Sequence, residues 1–215
     1  MIKKLLIPAG LFFLTLISCN NKHEHEVTVV LYGDQVHRHV LNQPYTDPGA
    51  YGVDWMNKQL PVTVDASALN VNLCGYYPVK ISATDEFGNT GTTERTVLVY
   101  NEAEYLQGNW SCYKYFEGQG IPDTIYIEKI NVSTDKNRYF RFTSFSSYAN
   151  ADVLCYLEAN LIYMDSLEYM VGPGQNTALW FSGDGLQVNS NRLEISYSET
   201  SGGNTEKFTA LVTRE

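Results

Sequence analysis

The sequence predicts an all-β protein. Short alternating or β-branched runs recur along the chain, and turn-forming residues separate them. The composition agrees, because 13% of the residues are aromatic and 16 are tyrosines, side chains that suit a pleated and half-buried surface. The spacing of the runs is typical of an antiparallel sandwich or barrel.

The N-terminus has the layout of a secretory signal peptide. Lys3 and Lys4 precede an apolar run that ends at Ile17 and is too short to span a bilayer. The following residues, Leu16-Ile17-Ser18-Cys19, resemble the bacterial lipobox, in which the cysteine carries diacylglycerol and becomes the mature N-terminus. We therefore expect residues 1–18 to be a signal peptide, Cys19 to be lipidated and residues 19–26 to be a flexible tether.

The charge balance excludes one class of partner. The chain has 15 Lys+Arg and 24 Asp+Glu, and loss of Lys3 and Lys4 with the signal peptide leaves 13 − 24 = −11. Nucleic acids are bound through basic patches, so an acidic protein of this kind is not expected to bind them. The expected membrane attachment is the N-terminal lipid.

The predicted strands fall into two groups. The runs are Val27–Tyr32, Ala50–Trp55, Pro78–Thr84, Thr92–Tyr100, Thr124–Ile130, Arg138–Phe142, Val153–Ala159, Arg192–Tyr197 and Phe208–Thr213. The turn signals are Asp47-Pro48-Gly49, Phe87-Gly88-Asn89, Gly172-Pro173-Gly174, Gly183-Asp184-Gly185 and Gly202-Gly203-Asn204. A polar joint over residues 101–104 predicts domains at 27–104 and 105–215, with limited hinge freedom because the joint is short.

Residues 27–100 resemble the Ig-like module first named from a pesticidal crystal protein and common in surface proteins of Bacteroides-type bacteria. The matching segments are Pro44-Tyr45-Thr46-Asp47-Pro48-Gly49-Ala50, Asp54, Gly75-Tyr76-Tyr77-Pro78-Val79, Ala83-Thr84-Asp85-Glu86-Phe87-Gly88-Asn89 and Arg95-Thr96-Val97-Leu98-Val99. The resemblance implies a β-sandwich that serves as a spacer or an adhesive unit.

Residues 105–215 resemble the small lipocalin-like β-domains at the C-termini of lipoproteins from the same bacteria. The matching features are Leu106-x-Gly108-x-Trp110, Pro173-x-Gln175, Gly183-Asp184-Gly185, Asn191-Arg192-Leu193-Glu194-Ile195-Ser196-Tyr197 and a final strand over 209–213. The resemblance implies a barrel or a sandwich. The indole of Trp110 is expected to cap the core, with Gly108 allowing close backbone approach.

The first candidate binding site is aromatic. In a strand over 110–116, Trp110 and Cys112 would point to one side, and Tyr113 and Tyr115 to the other. If the tryptophan side is core, Tyr113, Tyr115 and the neighbouring Phe116 are available to stack on a sugar. The alternative is that these rings pack against neighbouring elements.

The histidines and cysteines are candidates for metal binding and disulfide formation. All four histidines, His23, His25, His37 and His39, fall in one window and could hold zinc or copper, but the favoured explanation is a solvated tether and an exposed strand face, and no metal site is expected. No cofactor is expected. With Cys19 lipidated, at most one disulfide can form, between Cys112 and Cys155, and three reduced thiols are the alternative.

Enzymatic activity is not expected. The second half contains no histidine to activate Ser111, Cys112 or Cys155, and the chain has neither a phosphate-binding glycine loop nor a Cys-x-x-Cys motif.

The residues and resemblances favour a non-enzymatic envelope lipoprotein that acts as a binding module or as a spacer. The family association suggests glycans in polysaccharide uptake and the outer membrane. The alternatives are a structural or protein-interaction subunit of an outer-membrane complex and a hydrolase with an unrecognised carboxylate pair.

The surface of the second half should separate these functions. A closed concave pocket would favour a small ligand, an open aromatic platform would favour a glycan, and a flat apolar patch would favour a protein partner.

Overall fold

A computed structural model describes residues 25–171 and 177–214, and within them the protein is all-β, as predicted. The first seven strands are β1 Thr28–Leu31, β2 Val36–Val40, β3 Ala50–Val53, β4 Gln59–Leu60, β5 Val62–Asp65, β6 Gly75–Thr84 and β7 Thr90–Tyr100. The next nine are β8 Gly108–Phe116, β9 Thr124–Val132, β10 Tyr139–Phe142, β11 Val153–Glu158, β12 Leu161–Met164, β13 Leu167–Val171, β14 Thr177–Asn189, β15 Arg192–Ser201 and β16 Asn204–Arg214. In this part of the chain no helix is long and apolar enough to cross a membrane.

Strands β1 to β7 form two sheets that pack face to face, here called the sandwich. One sheet has the order β1-β3-β4 and the other β2-β7-β6-β5, with β2 parallel to β7. Alternate residues of β6 and β7 point between the sheets, so that Val79, Ile81, Val97 and Val99 are fully buried there with Leu41. The predicted turns at Asp47-Pro48-Gly49 and Phe87-Gly88-Asn89 lie outside the strands.

A buried arginine fixes the loops of the sandwich. Arg95 is fully buried, and its Nη atoms donate to the carbonyl oxygens of Asp34, Tyr32 and Gly49 at 2.6, 2.8 and 3.0 Å. Its Nε lies 3.1 Å from Oδ2 of Asp47 as an ion pair without a hydrogen bond. Removing either charge would leave the other buried and unpaired, which is costly.

Strands β8 to β16 form one antiparallel sheet that closes on itself, here called the barrel. Eight strands close the ring through the β12–β14 pairing, and β13 adds to the free part of β14. The interior is occupied by a single cluster of side chains, in which Phe145 contacts Tyr197 at a ring-centroid distance of 4.6 Å and Phe181 at 5.5 Å. The barrel is therefore filled by its own residues.

Trp110 closes the barrel where the chain enters it, as predicted. The indole is fully buried and donates to the carbonyl oxygen of Leu106 at 2.9 Å, while the Arg214 guanidinium lies 4.9 Å from the ring centroid. The expected reason for Gly108 was wrong, because a Cβ there would meet no atom within 4 Å. Glycine is favoured instead by the backbone, which has a φ of +130° at this position.

The predicted turn at Gly183-Asp184-Gly185 was also wrong. These residues lie inside β14, which pairs with β15 along its length. A Cβ at Gly183 would come within 2.3 Å of the Ser196 carbonyl oxygen, and one at Gly185 within 2.4 Å of Ile195 Cδ1. The glycines therefore mark a place where two strand backbones approach closely, a known use of glycine in strands.

Asn101 joins the sandwich to the barrel. Its Nδ2 donates to the carbonyl oxygens of Ser133 and Lys136, between β9 and β10, at 2.8 and 2.9 Å, and to that of Tyr139, the first residue of β10, at 3.2 Å. Its Oδ1 accepts the backbone N–H groups of Ala103 and Arg138 at 2.9 and 2.7 Å. The joint lies at one end of the β6–β7 hairpin, where β7 ends.

Other bonds reinforce this joint. Asn42 in the sandwich donates from Nδ2 to the Asp135 carbonyl oxygen at 3.1 Å and accepts the Asn137 N–H at 2.9 Å. The backbone N–H of Cys74 donates to the Thr134 carbonyl oxygen at 2.8 Å. Arg38 pairs with Glu104. The two cores consist of separate residues, and the division into domains at 104/105 stays a prediction.

Several predictions fall outside the described residues. These are the signal peptide over 1–18, the lipidation of Cys19, most of the tether over 19–26, His23 and the turn at Gly172-Pro173-Gly174.

Candidate functional site

The alternation predicted for β8 is present. Trp110 and Cys112 point into the barrel and are 0% and 1% exposed, whereas Tyr113 and Tyr115 point outward and are half-buried. Phe116 belongs to the inward set, at the end of the strand, where its ring contacts Phe208 edge-on at 5.3 Å. The structure therefore brings Tyr113 and Tyr115 to one outer surface but does not place Phe116 with them.

Exposed apolar side chains surround Tyr113. Strand β9 pairs with β8 so that Ile125 lies opposite Tyr113, and Ile127 lies opposite Ser111. Ile125 and Ile127 are 62% and 50% exposed. On the other side, Leu211 of β16 pairs with Tyr113. We call these residues (Tyr113, Tyr115, Ile125, Ile127 and Leu211) the isoleucine surface, and its aliphatic character differs from the aromatic platform that was expected.

A row of three tyrosines crosses another part of the barrel wall. Tyr139 pairs with Tyr156, and Tyr156 pairs with Tyr163, on three successive strands. The ring centroids are 5.0 Å apart in the first pair and 6.4 Å apart in the second, where the rings are stacked. The sequence contains a signal for their outward orientation, because each tyrosine alternates with a buried residue of its strand. The register that aligns them could not be read from the sequence.

The row ends in a groove next to Tyr163, which is about half exposed. The groove has a volume of about 390 Å³. Its lining consists of Tyr163, Leu161, Leu186, Asp184, Glu194 and Ser196, together with Ile162 and Gly185. One aromatic ring, two leucines, two carboxylates and a hydroxyl thus surround one concave site. We call it the tyrosine groove.

The groove residues owe their positions to strand pairing. Leu161 lies opposite Leu186, and Tyr163 lies opposite Asp184, where β12 and β14 close the barrel. Asp184 in turn pairs with Ser196 of β15. Glu194 Oε1 accepts a hydrogen bond from Arg192 at 2.6 Å, which holds that carboxylate at the groove edge. The site is therefore built on rigid strands and not on loops.

A polar cluster inside the barrel contains a serine beside a lysine and a glutamate, residue types that also occur in nucleophilic catalytic sites. Lys114 Nζ is 2.7 Å from Glu199 Oε1, and Ser146 Oγ bonds both Glu199 and, at 2.8 Å, the hydroxyl of Tyr197. The Lys114 ammonium also lies 3.9 Å from the centroid of the Phe208 ring. Ser146 is fully buried and is therefore not accessible to a substrate. Lys114 is paired with Glu199, so the cluster provides hydrogen-bond partners for polar groups that the barrel buries.

The three histidines that the structure describes do not come together as a set. His25 stacks on Trp55 at a centroid distance of 4.4 Å, whereas His37 and His39 lie edge-on to Tyr45 at 6.0 and 5.3 Å. His39 Nε2 is also 3.0 Å from the Gln43 carbonyl oxygen. Among the described residues, no group of three or more His, Cys, Asp or Glu side chains could hold a metal ion.

The three cysteines in the described part of the chain are free thiols. Cys112 and Cys155 are buried in the barrel core, and Cys74 is half-buried at the joint. The proposed Cys112–Cys155 disulfide is not formed, and the three-thiol alternative describes the structure. Burial raises the pKa of the Cys112 thiol to about 12, so it is not a reactive thiolate at neutral pH.

The chain has only low similarity to known proteins. No protein-family model and no curated protein sequence matches the chain. Among the solved structures similar to it are two Bacteroides proteins. One is a lipoprotein of Bacteroides thetaiotaomicron, with 17% identity and a TM-score of 0.34 over 88% of this chain and 100% of that one. The other is described as a candidate outer-membrane protein of Bacteroides fragilis, with 13% identity and a TM-score of 0.33 over 77% of this chain and 72% of that one.

Proposed function

We propose that this chain is a non-enzymatic lipoprotein of the cell envelope, held in the outer membrane by a lipid on Cys19, in which the sandwich spaces a ligand-binding barrel from the membrane. The lipobox-like sequence before Cys19 supports the anchor. The described chain begins at the end of the sandwich that lies away from the joint. There, Thr28 pairs with Val53, the last residue of β3, whereas the joint follows Tyr100 at the opposite end. The sandwich thus lies between the anchored end and the barrel.

The ligand class that the barrel surface suits best is a glycan, and the tyrosine groove is the observation that carries this proposal. Sugars present an apolar C–H face that stacks on aromatic rings, and hydroxyls that bond carboxylates. Tyr163 offers the ring, and Asp184 and Glu194 offer the acceptors. Leu161, Tyr163 and Leu186 are 46%, 47% and 38% exposed, so the groove is open to solvent, which suits a segment of a polymer better than an enclosed small molecule.

A glycan array on residues 20–215, followed by titration of the hits, tests this function. We expect Tyr163→Ala to weaken binding about fivefold or more, because the loss of a stacked ring costs on the order of 1 kcal/mol. Tyr76→Ala, at a sandwich tyrosine that is 71% exposed, is the matched control and should leave affinity unchanged. Binding to no glycan would contradict the proposal.

A double variant, Tyr113→Ala with Tyr115→Ala, distinguishes the two surfaces of the barrel. These residues remain the sequence-based prediction for the sugar site, and a loss of affinity in this variant with Tyr163→Ala unaffected would place the site there. The melting temperature must stay within a few degrees for either variant to be interpreted. A larger fall would show that the rings are needed for folding.

The second candidate function is docking to a protein of an outer-membrane complex. The observation in its favour is the isoleucine surface, where Ile125 and Ile127 are 62% and 50% exposed on one face of β9 beside Tyr113, since contiguous exposed apolar side chains indicate a binding surface. A photo-crosslinker at position 127 should then capture one defined envelope protein in cells. The same crosslinker at Val188, on another part of the outer wall, should not.

A further inference from the structure

An exposed apolar cluster lies at the end of the sandwich opposite the joint. Trp55 and Met56 stand between β3 and β4, Phe87 stands between β6 and β7, and the three are 51%, 49% and 52% exposed. The His25 ring stacks on Trp55 at 4.4 Å and faces Phe87 edge-on at 6.5 Å, which joins the two loops into one surface. We call Trp55, Met56 and Phe87 the apolar tip.

Rigid turns hold these side chains outward. Asp54 Oδ1 accepts the backbone N–H groups of Met56 and Lys58 at 2.9 and 2.8 Å. Asp85 repeats this arrangement in the other loop and accepts those of Phe87 and Asn89 at 2.9 and 2.8 Å. Both aspartates are nearly buried. The loops are therefore ordered in a form that exposes three large apolar residues together, and such exposure indicates a binding surface.

The position of the tip relative to Cys19 identifies what covers it. Cys19 precedes His25 by only six residues, which span at most about 20 Å when fully extended. His25 itself packs against the tip. A lipid on Cys19 would therefore keep the tip within about 20 Å of the bilayer surface. The joint to the barrel lies at the other end of β6. This strand has 10 residues and is therefore about 33 Å long, which is the approximate distance from the tip to the joint.

We propose that the apolar tip inserts into the interfacial region of the membrane that holds the Cys19 lipid. Aromatic and other apolar side chains partition to the boundary between headgroups and acyl chains. Two anchors then fix the sandwich, the lipid and the tip, and the barrel is held about 33 Å above the bilayer with its binding surfaces exposed. This inference rests on the lipidation in the proposed function.

The charges around the tip define the lipid chemistry. Glu26 and Glu86 are exposed beside it, and Lys58, the basic residue within its loops, lies 4.0 Å from Glu86. Anionic lipids would be repelled or bound weakly, so the partner is a zwitterionic phospholipid surface, and the interaction is apolar. Its strength should change little with salt, in contrast to binding through a basic patch.

The test uses tryptophan fluorescence on vesicles of phosphatidylcholine with brominated acyl chains. Residues 19–215 carry an N-terminal histidine tag that binds a chelating lipid, so that tethering does not depend on biological lipidation. We expect bromine quenching in the wild type, no quenching in Trp55→Phe and full quenching in Trp180→Phe. Trp180 is the matched control because it is 48% exposed on the barrel, and Trp110 is buried.

Further variants test the whole tip. Met56→Ser with Phe87→Ser should reduce Trp55 quenching severalfold, and raising the salt concentration tenfold should leave it unchanged. Absence of quenching in the wild type, or quenching that is lost in Trp180→Phe and kept in Trp55→Phe, would overturn the inference. Labelling with a radioactive fatty acid in cells, compared between wild type and Cys19→Ala, tests the lipid anchor separately, so failure of the anchor and failure of the tip are distinguishable.

Discussion

Glu128 is the carboxyl group that the barrel core accommodates least well. It is 1% exposed, and its Oε1 accepts the N–H groups of Thr143 and Ser144 at 2.8 and 2.9 Å, while its Oε2 is buried without a partner. Burial raises its pKa from 4.5 to about 7, against the lowering effect of the backbone hydrogen bonds, and the charge of Asp152 adds a smaller increase.

This shift predicts a pH-dependent stability. The folded state binds the Glu128 proton more tightly than the unfolded state, so the stability it confers is present below pH 4.5 and is lost as the pH rises to about 7. Glu128→Gln, which resembles the protonated acid, should remove this dependence and exceed the wild type by about 3 kcal/mol at pH 8. Urea denaturation from pH 4 to 8 measures it. Glu158→Gln, at an exposed position of β11, is the control, and parallel curves for Glu128→Gln and wild type would refute the shift.

At the scale of elements, β14 depends on its glycines. An alanine Cβ at position 183 would lie 2.3 Å from the Ser196 carbonyl oxygen and 2.7 Å from Tyr197 Cα, so two strand backbones would have to separate. We expect Gly183→Ala to destabilise the protein by about 3 kcal/mol or more, at or above the usual cost of overpacking. Gly120→Ala is the control because a Cβ there meets no atom within 4 Å. A melting temperature for Gly183→Ala within two degrees of wild type would contradict this account.

The same elements show how far the sequence determines the fold. Period-two alternation placed Trp110 and Cys112 inward and Tyr113 and Tyr115 outward, because one face of β8 must be buried. That alternation also turns Lys114 inward, but its partner Glu199 is 85 residues away and could not be identified locally. Gly183 and Gly185 suggested a turn because glycine favours turns and close strand contacts alike. The tyrosine groove escaped prediction because it is created where β12 meets β14 to close the barrel.

At the scale of the whole molecule, the joint ties the two halves together through polar bonds rather than through a shared core. The buried clusters of the sandwich and the barrel have no residue in common. Asn101 and Glu102 nevertheless bond the barrel, since Glu102 Oε2 accepts from Asn137 Nδ2 at 2.7 Å and from Arg138 Nε at 2.8 Å. Asn101 and Glu102 therefore form their side-chain hydrogen bonds with the barrel, although they precede the predicted domain boundary at 104/105.

This arrangement predicts how the protein can be divided. Fragments 27–104 and 105–215 should each unfold cooperatively, because each retains a complete hydrophobic core. The barrel fragment should gain stability when it begins at residue 101, since Asn101 then satisfies the carbonyl oxygens of Ser133 and Lys136 and the N–H of Arg138. These bonds are partly buried and each contributes on the order of 1 kcal/mol, so we expect fragment 101–215 to melt about 5 °C or more above 105–215.

The substitution Asn101→Ala within fragment 101–215 should return the melting temperature close to that of 105–215, which separates the effect of this side chain from that of a longer N-terminus. Differential scanning calorimetry of the three fragments measures all of these differences. Equal melting of 101–215 and 105–215 would show that Asn101 orients the halves without stabilising the barrel. Absence of a cooperative transition in 27–104 or in 105–215 would mean that the halves fold only together, and that the joint, which connects two otherwise complete cores, is part of the folding unit itself.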